Sequence, residues 1–83
     1  MLEVGSVAQS KKGHDEGRLY LITKIENEFA FLCDGKYRLI SNPKKKRLIH
    51  LKDKFIKFSQ EKQIKDLQDF EIKTFLKDIS HKD

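Results

Sequence analysis

The chain has 83 residues, 37% of them hydrophobic and 37% charged, and its eighteen Lys and Arg against thirteen Asp and Glu give a net charge of +5. This length suits one small domain with a modest core and excludes a deep substrate cavity. A single cysteine excludes an internal disulfide and a multi-cysteine zinc site, and no apolar run approaches the ~20 residues of a membrane span. We therefore expect a reduced, cytoplasmic domain with no membrane partner and no small-molecule substrate.

The positive charge is concentrated in the first part of the chain. Residues 1–58 hold thirteen basic and seven acidic side chains, whereas residues 59–83 hold five and six. A basic body with a near-neutral tail indicates a polyanionic partner such as nucleic acid, although a net charge of this size also serves plain solubility. We divide the domain accordingly into a body, 1–58, and a helical extension, 59–83.

Short apolar runs between turn residues predict the first two strands. The first covers residues 1–10 and the second residues 18–25, and the loop between them contains Gly13 and Gly17. Glycine at such positions permits positive φ or the close approach of another group. The second strand is apolar on both faces. It is therefore either curled inside a barrel or covered on its second face by an appended helix.

Three further strands are predicted downstream. Residues 29–33 alternate in polarity, and an Asp-Gly pair at 34–35 predicts a type I′ hairpin into a fourth strand over residues 36–40. Pro43 breaks the pattern, and residues 48–51 form a short fifth strand. Five short strands with regular turn signals predict a small antiparallel barrel or sandwich, and the barrel is favoured.

Helical spacing replaces strand alternation after residue 52. The apolar stripe consists of Ile64, Leu67, Ile72, Phe75, Leu76 and Ile79. Two interpretations stay open: one long helix capped by Ser59, or a short turn followed by a helix near residues 70–79 that Asp69 caps, with Glu71 in its first turn. In either case we expect the helix to pack on the strands, and its acidic residues make it a poor nucleic-acid reader.

Aromatic and cysteine side chains divide between core and surface. Tyr20, Phe29, Phe31 and Tyr37 are all candidates for stacking on RNA bases, but in a body this small we expect Phe29 and Phe31 in the core and Cys33 buried. Tyr20 and Tyr37 either join the core or stack on splayed RNA bases.

Two cationic segments are candidate phosphate ligands: the loop over residues 10–17 and the run of four cations at 44–47. The competing interpretations are a solvated hairpin loop and lysines that protect an exposed strand edge from aggregation. Phosphate contacts of this kind position a protein on RNA without reading sequence. The candidate RNA-binding residues are Lys11, Lys12, Gly13, His14, Arg18, Lys36, Arg38, Lys44, Lys45, Lys46, Arg47 and His50.

The sequence offers no catalytic constellation. His14, His50 and His81 do not share metal-ligand spacing, and no nucleophile lies in an apparent arrangement with a base. We accordingly predict no metal, no cofactor and no enzymatic activity.

The first hairpin resembles a KOW motif. The matching residues are Val-Gly-Ser-Val at 4–7, Gly-His-Asp-Glu-Gly-Arg at 13–18, and Ile22. His14 and Glu16 stand where more strongly basic residues are common in this motif. Because Asp15 and Glu16 offset the neighbouring cations, the loop is only weakly positive.

The resemblance extends through residues 34–38, 42–46 and 50–51, and residues 69–73 resemble the start of the helix that ends the bacterial members. Together these segments are similar to small bacterial KOW-domain RNA-binding proteins, which resemble the archaeal and eukaryotic large-subunit ribosomal protein of the fourteen-e type. The resemblance implies an SH3-like barrel of about five strands with a C-terminal helix. It also implies binding to ribosomal RNA of the large subunit.

The leading hypothesis is thus a non-catalytic RNA-binding protein, either a ribosomal protein or a ribosome-associated factor, that contacts mainly the RNA backbone. The alternative is an SH3-like adaptor that binds a peptide in an apolar groove between the strands and the helix. Fold alone does not decide between them.

Overall fold

The computed structural model describes residues 1–58 and 63–80. Its described part contains five antiparallel strands in one open sheet and a C-terminal helix, so the predicted mainly β fold with a terminal helix is confirmed. No helix among the described residues is long and apolar enough to cross a membrane. The elements are β1 (Ser6–Ser10), β2 (Leu19–Glu26), β3 (Phe29–Cys33), β4 (Lys44–Arg47), a 3₁₀ turn (Leu48–His50), β5 (Leu51–Lys57), a second 3₁₀ turn (Ile64–Asp66) and α1 (Asp69–Ser80).

The sheet is strongly curled. Its strand order is β4-β3-β2-β1-β5, so β4 and β5 lie at opposite edges although only Leu48–His50 separates them in sequence. A flat five-stranded sheet would hold its edges about 19 Å apart at ~4.8 Å per strand. A three-residue 3₁₀ turn advances only about 6 Å. The edges must therefore approach each other at this end, while β4 and β5 stay unpaired and the sheet remains open.

Strand alternation gives the sheet two buried faces. The inner face holds Ala8, Tyr20, Ile22, Ala30, Leu32 and Leu51. The outer face contributes Val7, Leu21 and Cys33, which α1 covers with Ile72 and Leu76. The appended helix thus covers the apolar second face of β2, which was one of the two predicted alternatives. The predicted burial of Cys33 is also confirmed.

The predicted Asp-Gly hairpin is wrong. A type I′ turn needs positive φ at both central residues, but only Gly35 has it, at +77°. The Asp34 carboxylate instead accepts the backbone N–H groups of residues 36, 37 and 38, at 2.8 to 2.9 Å. This capped turn replaces the predicted strand over residues 36–40, and the next strand is β4.

The predicted fifth strand is also misplaced. Leu48–His50 forms a 3₁₀ turn, and β5 follows it, pairing with β1. A register shift interrupts this pairing, and Phe55 lies within the shifted stretch at φ +58° with its side chain 86% exposed. The irregularity removes the alternation by which a strand is recognised in sequence. The first strand is shorter than predicted, since β1 begins at Ser6.

The C-terminal segment follows the second predicted alternative, a turn followed by a helix. The Glu71 carboxylate accepts the backbone N–H of Gln68 at 3.0 Å, which satisfies one free donor at the helix start. The predicted capping role of Asp69 is wrong, because Asp69 is the first helical residue and its carboxylate accepts the N–H of Ile40 at 2.8 Å. The helix start is thereby tied to the segment before β4. The predicted cap Ser59 lies outside the described residues.

Gly35 is required by the close approach of α1. A methyl group on its Cα would overlap the Asp69 carbonyl oxygen and lie 2.7 Å from the backbone nitrogen of Lys73. We expect Gly35→Ala to lower the free energy of unfolding by about 2–4 kcal/mol, because the helix backbone must move.

The matched control is Gly17→Ala. Gly17 also has positive φ, at +91°, but a methyl group there meets nothing within 4 Å. Only backbone strain of about 1–2 kcal/mol is expected. Urea unfolding followed by circular dichroism compares the two variants, and an equal loss of stability in both would contradict the helix-contact explanation.

Candidate nucleic-acid interface

The loop between β1 and β2 is folded around a buried carboxylate. Asp15 is only 6% exposed, and its oxygens accept hydrogen bonds from the hydroxyls of Ser10 at 2.8 Å and Tyr20 at 2.9 Å. Two ammonium groups from β4 reach the same carboxylate, Lys46 at 2.8 Å and Lys44 at 3.1 Å. We call these five residues the Asp15 cluster.

Lys46 is fully engaged within this cluster. Its ammonium group donates to the Ser10 hydroxyl at 2.8 Å, to the Lys12 carbonyl at 2.6 Å and to Asp15 at 2.8 Å. An ammonium group has three N–H donors, so this set uses them all. The Lys46 side chain is 12% exposed. It ties β4 to the loop and is not free to meet a phosphate.

The hydrogen bonds of the cluster stabilise the ionised carboxylate of Asp15. Burial by itself raises the pKa of Asp15, but the hydrogen bonds from Lys46, Ser10, Lys44 and Tyr20 outweigh it and hold that pKa well below its usual range. Burial and the Asp15 carboxylate raise the pKa of Tyr20 to about 12. The carboxylate and the phenol therefore keep the protonation states that their hydrogen bond requires at neutral pH.

The run at Lys44–Arg47 does not act as one cationic surface. Because it forms a strand, successive side chains point to opposite faces. Lys44 and Lys46 turn toward Asp15, whereas Lys45 and Arg47 lie on the other face beside β3. The sequence prediction grouped all four residues, and the structure divides them into a structural pair and a surface pair.

The surface pair lies over two phenylalanines. The Lys45 ammonium is 4.6 Å from the ring centre of Phe29 and 5.9 Å from that of Phe31. Lys24 lies 5.5 Å from the Phe31 ring and Arg47 lies 5.6 Å from the Phe29 ring. We call these five residues the β3 platform. Each contact falls within the range of a cation–π interaction.

Both platform phenylalanines were expected in the core, and that prediction is wrong. Phe29 and Phe31 are only partly buried, and they occupy the stretch of β3 that precedes the helix-covered Cys33. Acidic neighbours offset part of the platform's charge, since Lys24 pairs with Glu26 and Arg47 pairs with Glu28. Lys45 takes part in no ion pair among the described residues.

A second aromatic group with cations lies at the turn before β4. Tyr37 is 63% exposed, and its ring centre is 4.7 Å from the Arg18 guanidinium carbon and 5.0 Å from the Lys36 ammonium. Arg38 is half-buried, and its carbonyl accepts the N–H of Gly35. Of the two tyrosines, Tyr20 thus belongs to the core and Tyr37 to the surface.

The remaining predicted residues lie in the β1–β2 loop and in the first 3₁₀ turn. Lys11, Lys12, Gly13 and His14 are exposed. The backbone N–H of Lys11 donates to the carbonyl of half-buried His50 at 2.9 Å, which holds the loop against the first 3₁₀ turn. The loop cations therefore lie on one side of edge strand β4, and the β3 platform lies on its other side.

The described residues contain no group of three or more His, Cys, Asp or Glu side chains arranged to hold a metal ion. Burial raises the pKa of the Cys33 thiol, which keeps it protonated.

No protein-family model matches this chain, and no curated protein matches it.

Sequence reasoning missed Lys24 as a site residue and placed Phe29 and Phe31, which are partly exposed, in the core. It also missed that Asp15 would hold two of the predicted phosphate ligands. The cations over β3 did have a signal in the sequence. If Lys44–Arg47 is recognised as a strand, its alternate cations fall on one face, over β3. The role of Asp15 depends on a contact between residues 31 positions apart, which local pattern does not encode.

We expect Asp15→Asn to destabilise the fold by about 2–4 kcal/mol, because it leaves the half-buried ammonium groups of Lys44 and Lys46 without their carboxylate. Glu16→Gln is the control, since it makes the same charge change at an exposed neighbouring position and should alter stability by less than about 0.5 kcal/mol. Urea unfolding at pH 7 measures both.

The dependence of stability on pH separates the contribution of the Asp15 charge from that of the side chain's shape. The pKa of folded Asp15 is depressed, so its stabilisation is present above the unfolded pKa of about 3.9 and is lost as the pH falls below that value. The gap in stability between the native chain and Asp15→Asn should narrow as the pH falls below about 4. A gap independent of pH would contradict the electrostatic role.

Proposed function

We propose that the protein is a non-catalytic RNA-binding protein that contacts its RNA through the β3 platform. One observation carries the proposal: two partly exposed phenylalanines lie side by side on a strand, with cations over both rings. Proteins that bind unpaired RNA combine these two features, because bases stack on aromatic rings and phosphates pair with neighbouring cations.

The spacing of the rings suits two consecutive nucleotides. Phe29 and Phe31 occupy alternate positions of β3, and such positions lie about 7 Å apart on one face of a strand. That distance separates bases that have been splayed out of a regular stack. Stacking of this kind tolerates any base, so the platform would bind with little sequence preference.

The charges at the platform and the loop give the RNA backbone a path. Lys45 lies above the rings, and Lys11 and Lys12 lie exposed on the other side of edge strand β4. An RNA strand that crosses the β4 edge would contact both the β3 platform and the loop lysines. Such contacts release counterions, so affinity should fall steeply as salt rises.

The strand order and curl support a finer description of the fold. A β4-β3-β2-β1-β5 order, with a 3₁₀ turn joining the two edge strands, is the arrangement expected of an SH3-like barrel. The resemblance of residues 4–22 to a KOW motif favours the same description. The same resemblance favours large-subunit ribosomal RNA as the ligand. The protein would then be a cytoplasmic ribosomal protein or a ribosome-associated factor.

Reversing one platform charge should weaken RNA binding more than reversing a charge elsewhere on the surface. We expect Lys45→Glu to weaken binding to transcribed large-subunit ribosomal RNA by about tenfold or more, through a lost phosphate contact and new repulsion. Lys52→Glu makes the same charge change at an exposed position of β5, so we expect a loss of less than about threefold. Fluorescence anisotropy at constant salt measures both variants.

Stacking is tested separately by Phe31→Leu, which retains apolar bulk and removes the ring. We expect about a tenfold loss of affinity, the low end of the effect of deleting a base-stacking aromatic. Equal losses for the two lysine variants, or equal affinity of the native chain for this RNA and for heparin, would refute binding through the platform.

A further inference from the structure

A groove of about 1050 Å³ runs between α1, β5 and the turn that Asp34 caps. It lies on the helix side of the molecule, and its lining shares no residue with the β3 platform. Its floor is apolar and consists of Leu19, Ile56, Phe75, Leu76 and Ile79. We call this feature the α1 groove.

Four lysines surround this apolar floor. Three elements contribute them: Lys36 from the capped turn, Lys54 from β5, and Lys73 with Lys77 from α1. No ion pair among the described residues uses any of the four. The single acidic lining residue is Asp34, whose Oδ1 already accepts three backbone N–H groups. Four lysines against one aspartate leave the lining of the groove with a net positive charge.

We propose that the α1 groove binds an acidic, amphipathic segment of a partner protein. Acidic side chains of the segment would pair with the lysine rim, and apolar side chains between them would fill the floor. Oppositely charged surfaces steer such encounters, and the burial of apolar side chains supplies most of the affinity. The groove is at the upper end of the volumes that enclose a small ligand, so it accommodates several side chains of a peptide.

The floor favours a peptide over RNA. Stacked bases need an open aromatic face, and of the two described aromatic residues that line the groove only Tyr37 offers one. Phe75 already packs edge-on against Phe58, with ring centres 5.1 Å apart and planes at 85°. The other floor residues are aliphatic. Aliphatic surface complements aliphatic side chains, which nucleic acids lack apart from the methyl group of thymine.

The rim also argues against a second copy of this chain. A two-fold dimer places the same surface of each copy in contact. Two such rims would bring eight lysines together, four from each copy, with only one acidic lining residue on each side. Like charges placed against each other disfavour that dimer.

The test starts from a random peptide library selected against the full chain. We expect the enriched peptides to combine Asp and Glu with Leu, Ile or Phe. A synthetic, fluorescein-labelled copy of the strongest peptide is then titrated with the native chain and with two charge-reversed variants. Lys73→Glu/Lys77→Glu alters the groove, and Lys52→Glu/Lys65→Glu makes the same net change at exposed positions elsewhere.

We expect the groove variant to bind the peptide about tenfold more weakly and the control variant to bind it within about threefold of the native chain. Both variants should unfold at the native temperature and should bind RNA equally, so a failure here leaves the RNA proposal standing. The inference is overturned if no acidic peptide is enriched, or if both variants weaken the peptide equally. Displacement of the peptide by RNA would assign the groove to RNA, and groove-dependent dimers in sedimentation would assign it to self-association.

Discussion

The structure depends on one buried negative charge. Asp15 lies in a loop of a small domain where an unpaired carboxylate would be strongly destabilising. Two lysines from β4 and two hydroxyls from the ends of β1 and β2 compensate it. The two lysine contacts join residues far apart in sequence and draw edge strand β4 toward the loop. Together with the short 3₁₀ turn between β4 and β5, they hold the sheet in its curled form.

This constraint also determines which cations remain available to a ligand. Since Lys44 and Lys46 are held by Asp15, strand alternation turns Lys45 and Arg47 toward β3. There they lie over phenylalanine rings that α1 does not cover. The outer face of the sheet is thus divided between a helix-covered core and a surface of aromatic rings and cations. The same four-residue segment contributes to stability and to the proposed RNA contact, on opposite faces of one strand.

The sequence was informative where structure is local. Strands β2 and β3 agree with prediction to within a residue at each end, because their apolar alternation is uninterrupted, and α1 begins one residue before its predicted span. Prediction was wrong where a side chain or an irregular backbone decided the structure. Asp34 capped a turn with its carboxylate instead of opening a hairpin, and Phe55 broke the alternation of β5. In the candidate site, the exposed loop cations were predictable. The capture of Lys44 and Lys46 was not, since it depends on a tertiary contact with Asp15.

β4 holds Lys44 and Lys46 in the fold and, in the proposed function, presents Lys45 and Arg47 to RNA. The most direct test is NMR of the lysine ammonium groups during titration with transcribed large-subunit ribosomal RNA. The Lys46 signal should be protected from solvent exchange in the free protein, because all three of its N–H donors are hydrogen-bonded. It should stay unchanged as RNA is added, while the Lys45 signal shifts. A Lys46 signal that exchanges rapidly, or one that shifts with RNA while Lys45 does not, would contradict the account.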